Sequence, residues 1–257
     1  MLIAQNSCKN NTQQGHSLAK VASQQGYSLA ALFVEADGIY AGLPGIDIWP
    51  IERDARKYAG PWPVVAHPPC QRWGRFWHGS TRKPHQFKLG DDDGCFEAAL
   101  NAVVRYGGVL EHPADSHAWK AFGLVKPERS GGWVRSGVVG ATCYVEQGHY
   151  GHISRKPTWL YASNCDWLDL KWGRLPQRLH SAALAKHGYE KARRIGMMAM
   201  IGGKDKTKIR NATPIEFRDL LINIALTSSR IELCGKCDRP VTSGPPLCED
   251  TACGCLF

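Results

Sequence analysis

A cysteine behind two prolines is the residue whose type and setting in this sequence best suit chemistry. The segment Pro68-Pro69-Cys70 follows a short apolar run, Val64-Val65-Ala66. Because each proline fixes its own φ and restricts the residue before it, the thiol would be rigidly presented. Basic groups at His67, Arg72 and Arg75 could lower the pKa of the thiol, so that it attacks as a thiolate. Taken alone, a Pro-Pro-Cys segment is more often structural than catalytic.

The elements that must position this cysteine alternate between strands and helices. Short apolar runs predict buried strands at 29–35, 63–67, 109–111, 141–145 and 158–162. The order of these elements is strand, connection, strand, helix, strand. This order predicts an α/β domain with a largely parallel sheet. Ligands of such sheets bind beyond the carboxyl ends of the strands, where Cys70 and Glu111 are both expected.

Two helices are well signalled by spacing and by their first residues. Three aspartates at 91–93 precede apolar residues that recur at helical spacing over 96–104, with the acids at the favourable N-terminal end. The sequence Thr-Pro-Ile-Glu at 213–216 predicts a capping box at the start of the last helix. Residues 47–58 are interpreted as a short helix, and residues 163–210 as irregular and basic.

Length and composition are those of an ordinary globular protein. The chain has 257 residues, of which 43% are hydrophobic and 21% charged, so disordered, collagen-like and coiled-coil classes are excluded. No apolar run reaches the length of a transmembrane helix, and the first residues lack the pattern of a signal peptide. We therefore expect a cytoplasmic protein with no membrane partner and no obligatory protein partner. Residues 1–28 are expected to form an extension, 29–230 the α/β domain and 231–257 a separate tail.

A local excess of basic residues predicts a polyanionic partner. The formal net charge is +9. Residues 171–218 contain twelve Lys and Arg against three Asp and Glu, so the net charge of this segment alone is also +9. Because the charge is concentrated in one segment, nucleic acid is the favoured partner. The alternative is a solvated face kept basic for solubility.

The cysteine-rich tail predicts a structural zinc site. Five of the ten cysteines lie within the last 24 residues. Without a secretory signal, metal binding is favoured over a disulfide framework, and structural zinc takes four ligands. The predicted ligands are Cys234, Cys237, Cys248 and Cys253, with Cys255 as an alternative to the last. The other interpretation is a reduced and partly disordered tail.

Four ordered segments resemble those of the cytosine-5 DNA methyltransferases. Motifs of P-loop enzymes, of serine hydrolases with a Gly-x-Ser-x-Gly elbow and of zinc deaminases are missing from the sequence. Pro68-Pro69-Cys70-Gln71 resembles the family's nucleophile motif, and Glu111 with its neighbours resembles the Glu-Asn-Val motif. Residues 149–156 resemble Asn-Tyr-Gly-x-x-Gln-x-Arg, and residues 211–214 resemble Gly-Asn-Ala-Val-Pro. Glu111 lies 41 residues after Cys70 and Arg155 a further 44, and both separations are of the size that the family uses.

This resemblance implies a Rossmann-like, methyltransferase-type sheet and covalent chemistry on a pyrimidine of DNA. Cys70 would add to C6, which turns C5 into an enamine-like carbon. Glu111 would hydrogen-bond the base at N3 and the exocyclic amine, and Arg155 or Lys156 would hold the carbonyl oxygen or a flanking phosphate. The base would have to be flipped out of the stack, and residues 163–210 would form a short DNA-contacting insert.

The resemblance also implies two sets of binding residues. The residues expected to contact the base or the DNA are Gln71, Arg72, Trp73, Arg75, His112, Gln147, Tyr150 and Lys156. The residues expected to hold S-adenosylmethionine are Glu35, Asp37, Gly38 and Asn211. For the aromatic residues that follow the cysteine, plain core packing is the alternative.

The sequence departs from the family where the cofactor would bind. The family's Phe-x-Gly-x-Gly turn is replaced by Phe33-Val34-Glu35-Ala36-Asp37-Gly38, and only 37 residues separate Phe33 from Cys70. Compact proteins with these patterns resemble phage-encoded ones, which would act in the host cytoplasm. One alternative function is therefore the exchange of a substituent on a 5-hydroxymethylpyrimidine of phage DNA without S-adenosylmethionine. Two others are DNA binding or decoy activity without catalysis, and action on free dCMP or dUMP.

Overall fold

A mixed seven-stranded sheet with flanking helices forms the protein, so the expected α/β class is confirmed. The computed structural model describes residues 26, 28–80, 82–83, 85–200 and 206–228; the side chains of 198–200 are not described. The strands are β1 (Leu29–Leu32), β2 (Ile46–Trp49), β3 (Val64–Ala66), β4 (Gly108–Pro113), β5 (Trp133–Ser136), β6 (Gly140–Glu146) and β7 (Pro157–Ser163). Their order in the sheet is β2-β1-β3-β4-β7-β6-β5.

Only half of the sheet is parallel, which corrects the expectation of a largely parallel sheet. Strands β2, β1, β3 and β4 run parallel, whereas β7 pairs antiparallel with β4, and β6 and β5 follow as antiparallel neighbours. The connections 137–139 and 147–156 are too short for helical crossovers, so these strands fold back on one another. In the parallel half, the chain goes from β1 to β2 on one side and then to β3 on the other. The carboxyl ends of β1 and β3 therefore flank a topological switch point.

Five helices accompany the sheet within the described residues. They are α1 (Cys95–Tyr106), α2 (His117–Ala121), α3 (Ser181–Met200), α4 (Lys206–Asn211) and α5 (Ile215–Leu226). Helix α1 confirms the helix predicted after the three aspartates, and it ends at Gly107, whose φ of 77° suits glycine. None of the described helices has both the length and the apolar character needed to cross a membrane.

Two hydrophobic layers cover the two faces of the sheet. Along β1, Ala30 and Leu32 point into a cluster with Phe96 of α1. Leu29 and Ala31 point the other way, into a cluster with the buried side of α5. This alternation is the period of two expected for a strand buried on both faces. The two layers fix the positions of β3 and β4 in the sheet. Cys70 follows β3 in the chain, and Glu111 lies in the second half of β4.

Three local predictions are wrong. Residues 47–58 form the end of β2 and two 3-10 turns (Ile51–Arg53 and Ala55–Lys57), because the alternating Ile-Asp-Ile-Trp run pairs with β1 until Pro50 ends it. Residues 163–210 are not simply irregular, because Ala-, Leu- and Lys-rich sequence forms α3, with breaks at Gly188 and Gly196, and then α4. The capping box of the last helix does not form. Pro214 itself occupies the cap position of α5, and no side chain caps the helix there.

Candidate active site

Cys70 lies in a turn just beyond the carboxyl end of β3. Its carbonyl oxygen accepts hydrogen bonds from the N–H groups of Trp73 and Gly74 at 3.1 and 3.0 Å, and its side chain is half-buried. Burial and the negative charge of Glu111 raise the pKa of the Cys70 thiol, against smaller opposing effects of Arg210 and Lys156. The expectation that His67 and Arg72 lower this pKa is therefore corrected. Cys70 is a protonated thiol at rest.

Glu111 lies beside this turn because β3 and β4 are neighbours in parallel register. Ala66 pairs with Leu110, so the next residues of each strand, His67 and Glu111, are adjacent. His67 Nδ1 lies 3.2 Å from Glu111 Oε2, and Gln147 Nε2 donates to Glu111 Oε1 at 2.9 Å. Burial by itself would raise the pKa of Glu111, but the hydrogen bond from His67 and the positive charge of Lys156 hold it below its usual value. Glu111 is thus a buried carboxylate.

Tyr40 extends this pair into a chain of three groups. Its hydroxyl lies 2.9 Å from His67 Nε2. Burial raises the pKa of Tyr40 far above its usual value, so the hydroxyl keeps its proton and donates it to Nε2. His67 then carries its own proton on Nδ1 and donates it to Glu111, a tautomer assigned from the partners of the two ring nitrogens. Sequence reasoning missed this chain, although a histidine at the end of a strand beside Glu111 was a usable signal.

Lys156, and not Arg155, is the cation whose charge acts on both Cys70 and Glu111. Its ammonium group donates to the carbonyl oxygens of Asn211 and Ala212 at 2.9 and 2.8 Å. Burial lowers the pKa of Lys156, while the charges of Glu111 and Cys70 raise it, which places all three groups within electrostatic reach of one another. The Arg155 guanidinium turns away and donates to Gln177 Oε1 at 2.9 Å.

Gln147 and Tyr150 have supporting positions. Gln147 is fully buried, and its amide nitrogen bridges Glu111 and the Thr158 hydroxyl, the latter at 3.0 Å. It therefore orients the carboxylate from the 3-10 turn that follows β6, Gln147–Tyr150. Tyr150 is also buried, packs against Phe217 and accepts a hydrogen bond from the backbone N–H of Lys171 at 3.0 Å. Its ring therefore packs α5 against the turn that follows β6.

His112 and Trp73 lie in the core, which corrects their assignment as base- or DNA-contacting residues. Successive side chains of a strand point to opposite faces, so His112 projects away from the face that Glu111 occupies. Only 1% of His112 is exposed; its Nδ1 lies 2.8 Å from the Ser116 hydroxyl, and burial lowers its pKa to about 4. Trp73 packs against Phe96, and its indole N–H donates to an Asp92 carboxylate oxygen. For Trp73, core packing is the correct alternative.

The rest of the loop after Cys70 reaches the surface. Gln71 and Arg75 are exposed, as is Phe76, of which 63% is accessible. The Arg72 guanidinium lies over the Phe87 ring, 3.4 Å from its centroid, which holds this part of the loop against the following segment. Exposed basic and aromatic side chains are therefore available within a few residues of the thiol.

A cavity of about 650 Å³ lies beyond the ends of β1 and β2 and extends to Pro69, next to Cys70. Glu35 and Asp37, two of the residues expected to hold a cofactor, line it, together with Trp49 and Glu52. Gly38 lies behind them in a turn, where its N–H donates to the Glu35 carbonyl at 3.1 Å. Asn211, in contrast, lies outside this cavity, because its carbonyl binds Lys156.

The four predicted zinc ligands, with the rest of the tail 231–257, lie outside the described residues, as does most of the extension 1–28. Among the residues that the structure describes, no group of three His, Cys, Asp or Glu side chains could hold a metal ion. No family model matches the chain, and neither a curated protein nor a solved structure matches it significantly.

Proposed function

We propose that the protein is a DNA pyrimidine-modifying enzyme, methyltransferase-like at C5, with Cys70 as its nucleophile. The observation that carries the proposal is that Cys70 follows β3, Glu111 lies on the adjacent parallel strand β4, and the charge of Lys156, just before β7, acts on both. A thiol, a carboxylate and an ammonium group within electrostatic reach of one another suit nucleophilic addition to a pyrimidine ring.

A Rossmann-like, methyltransferase-type assignment of the sheet is part of this proposal. Its support is the switch point between β1 and β3, because ligands of open α/β sheets bind in the crevice outside the strand ends at that point. The cavity that reaches Pro69 opens at the same edge. A substrate base at Cys70 and a second ligand in the cavity would therefore be neighbours.

Catalysis would begin with a thiol, because the pKa of Cys70 is raised at rest. Cys70 loses its proton to water, a step that the charges of Lys156 and Arg210 favour, and Sγ forms a bond with C6. The ring electrons move to C5, which bonds to the incoming group as that group's bond to its donor breaks. Water then takes the proton from C5, and the bond between Sγ and C6 breaks, which restores the ring and the thiolate.

The ionisation of Glu111 predicts which pyrimidine is preferred. A carboxylate accepts hydrogen bonds and donates none. It therefore suits the exocyclic amine of cytosine and repels the carbonyl oxygen that uracil and thymine carry at the same ring position. Because His67 and Gln147 hold both carboxylate oxygens, the acceptor direction is fixed before the base arrives.

The incoming group would come from S-adenosylmethionine bound in the cavity beyond β1 and β2. A volume of about 650 Å³ falls within the range of about 300 to 1,000 Å³ typical of ligand pockets. The carboxylates of Glu35, Asp37 and Glu52 would suit ribose hydroxyls and a positively charged sulfonium group. When bound, this cofactor supplies an electrophilic methyl group next to Pro69.

DNA is the proposed partner because basic residues crowd the segments around the pocket. Arg75 and Phe76 are exposed just after Cys70, and the helices α3 and α4 carry much of the excess of Lys and Arg. Phosphate contacts from such side chains dominate the affinity for nucleic acid and make it strongly dependent on salt. We expect the affinity for an oligonucleotide to fall steeply between low and physiological salt.

The decisive experiment compares two cysteine variants by nucleoside mass spectrometry of DNA from cells that express the full chain. Cys70→Ser should abolish the modified nucleoside. Cys165→Ser, which changes another half-buried thiol on a structural hydrogen bond to Gly108, should leave it unchanged. Modification that survives Cys70→Ser would exclude covalent catalysis. If DNA from cells with the wild-type chain is unmodified although the protein binds DNA, the proposal is wrong. The alternative of DNA binding or decoy activity without catalysis would then replace it.

A second candidate reaction is favoured by the turn after β1. Glu35 and Gly38 close a tight turn in place of a glycine-rich loop that would let a cofactor approach the backbone. The same addition of Cys70 to C6 also expels a leaving group from a C5 methylene, so the enzyme could exchange a substituent on a 5-hydroxymethylpyrimidine. Calorimetry with S-adenosylmethionine separates the two reactions, because only the first requires binding.

A further inference from the structure

We propose that a second cavity, which Lys156 helps to line, binds a single phosphate group. The cavity has a volume of about 250 Å³. It lies between the turn that precedes β7, the segment before α3, the last turn of α3 and helix α4. Its lining includes Arg155, Lys156, Arg178 and Arg210. The inference deepens the proposed function, on which it rests only for the identity of the molecule that carries the phosphate.

The charge of the lining is uniformly positive. No Asp or Glu is among the lining residues that the structure describes, which besides the four cations are neutral. Among the described residues, the guanidinium groups of Arg155, Arg178 and Arg210 form no ion pair with a carboxylate. Three unpaired guanidinium groups around one small cavity repel one another unless an anion lies between them. A phosphate, which can accept paired hydrogen bonds from guanidinium groups, is the group that best satisfies them.

Two of the cations are fixed in place by neutral partners. Gln177 Oε1 accepts from Arg155 at 2.9 Å, and the Gln177 amide lies directly against Gly196 of α3. A Cβ at Gly196 would fall on that amide, so the glycine leaves room for the glutamine that orients Arg155. Arg210 Nε donates to the Asn211 side chain at 3.2 Å, which leaves its terminal nitrogens for a ligand. Such orientation before binding lowers the entropic cost of ligand capture.

The cavity adjoins the proposed site of reaction. Lys156 lines it and also reaches Cys70 and Glu111 electrostatically. Although burial and Glu111 raise the pKa of Cys70, Arg210 and Lys156 act in the opposite direction, so both cations lie near the thiol. A phosphate bound between Arg155, Arg178 and Arg210 would thus belong to the nucleotide whose base lies at Cys70, or to its neighbour in a strand.

The size of the cavity limits what it can hold. Its volume is below the range of about 300 to 1,000 Å³ typical of pockets for larger organic ligands. A phosphate with its adjoining sugar oxygens fits this space better than a whole nucleobase does. The base and the phosphate would therefore bind in separate pockets that share Lys156.

Calorimetry with inorganic phosphate tests the site without requiring any base modification. We expect binding to the wild-type chain, weakened at least about fivefold in Arg178→Gln and again in Arg210→Gln, because each loses charged hydrogen bonds. Arg194→Gln is the matched control, since it removes the same charge from an exposed position of α3 outside the cavity. Absence of phosphate binding, or equal weakening in Arg194→Gln, would overturn the site. Circular dichroism spectra confirm that each variant is folded.

Two further ligands identify the source of the phosphate. If it is a phosphodiester of DNA, an oligodeoxycytidine should compete with inorganic phosphate and lose affinity in Arg178→Gln, while dCMP competes no better than phosphate itself. If it is the monoester of a free nucleotide, dCMP should bind much more tightly than inorganic phosphate. Phosphate binding with no modified nucleoside in cells would leave the site in place and refute the proposed function. Base modification in cells without phosphate binding would refute the phosphate site and leave the proposed function in place.

Discussion

Nδ1 of His67 lies 3.2 Å from Oε2 of Glu111, so the residue that precedes the two prolines holds the carboxylate beside the cysteine. The pair exists because β3 and β4 are adjacent and parallel, with Ala66 opposite Leu110. Each strand delivers its next residue to the same edge of the sheet. The segment that presents Cys70 therefore also fixes the ionisation and direction of its neighbour, Glu111.

Removal of His67 should release Glu111. In His67→Ala the carboxylate loses the hydrogen bond that lowers its pKa, so that pKa should rise. We expect the modification rate near neutral pH to fall about tenfold to a hundredfold, with the acidic limb of the pH profile shifted upward. Tyr40→Phe, which removes only the outer hydrogen bond, should have a smaller effect of about twofold to tenfold. His67→Asn should recover part of the rate, because its amide can donate from a similar position; an unshifted acidic limb in His67→Ala would contradict this role.

The reactivity of Cys70 should respond in opposite directions to its two charged neighbours. Glu111 raises the pKa of the thiol, so Glu111→Gln should lower it, whereas Lys156 lowers the pKa, so Lys156→Met should raise it. Rates of iodoacetamide alkylation between about pH 6 and pH 10, measured by peptide mass spectrometry, report the thiolate fraction. Cys165, which is also half-buried, is an internal control whose midpoint should stay constant. Shifts of the same sign in both variants would show that neither charge acts on Cys70.

Gly108 should be essential to the contact between β3 and β4. Its φ is 120°, and a Cβ there would fall on the carbonyl oxygen of Val64 in the neighbouring strand. We expect Gly108→Ala to lower the free energy of unfolding by more than about 4 kcal/mol, as seen by urea denaturation or as loss of soluble protein. Gly137→Ala, at a φ of 75° but in open space, isolates the backbone strain and should cost about 1 to 2 kcal/mol. Similar losses in the two variants would mean that the close strand approach adds nothing.

Acid should destabilise the protein through His112. Its pKa is about 4 in the folded protein, against 6.5 for a free side chain, so the unfolded chain binds the proton more readily. The associated stability is complete above about pH 6.5 and is lost as the pH falls towards 4, by about 3 kcal/mol in total. His112→Asn should therefore be less stable than the wild type at neutral pH and should show a smaller further loss in acid. His85→Asn, at an exposed position with a positive φ that asparagine tolerates, should keep the wild-type acid dependence; parallel acid profiles for the wild type and His112→Asn would rule out this contribution.

Local patterns in the sequence determined most of the elements. Helix α1 and the strands that carry Cys70 and Glu111 follow from periodicity and short apolar runs, because burial of one face or both leaves a repeating signal. The position of Cys70 at a strand end follows in the same way. Strand β2 was missed because its four residues are half-buried at the edge of the sheet, where the apolar signal is weak.

Only the tertiary structure decided which side chains meet. In the sequence, Arg155 and Lys156 are adjacent basic residues that nothing distinguishes. In the structure, Lys156 has a positive φ of 42°, and Arg155 donates to Gln177 while the charge of Lys156 acts on Glu111. His112 follows Glu111 directly but lies in the opposite layer, because a strand alternates its faces. Arg178 and Arg210 are far from Arg155 in sequence and share one cavity with it. Such meetings depend on strand order and on helix packing across the sheet, which no local pattern encodes.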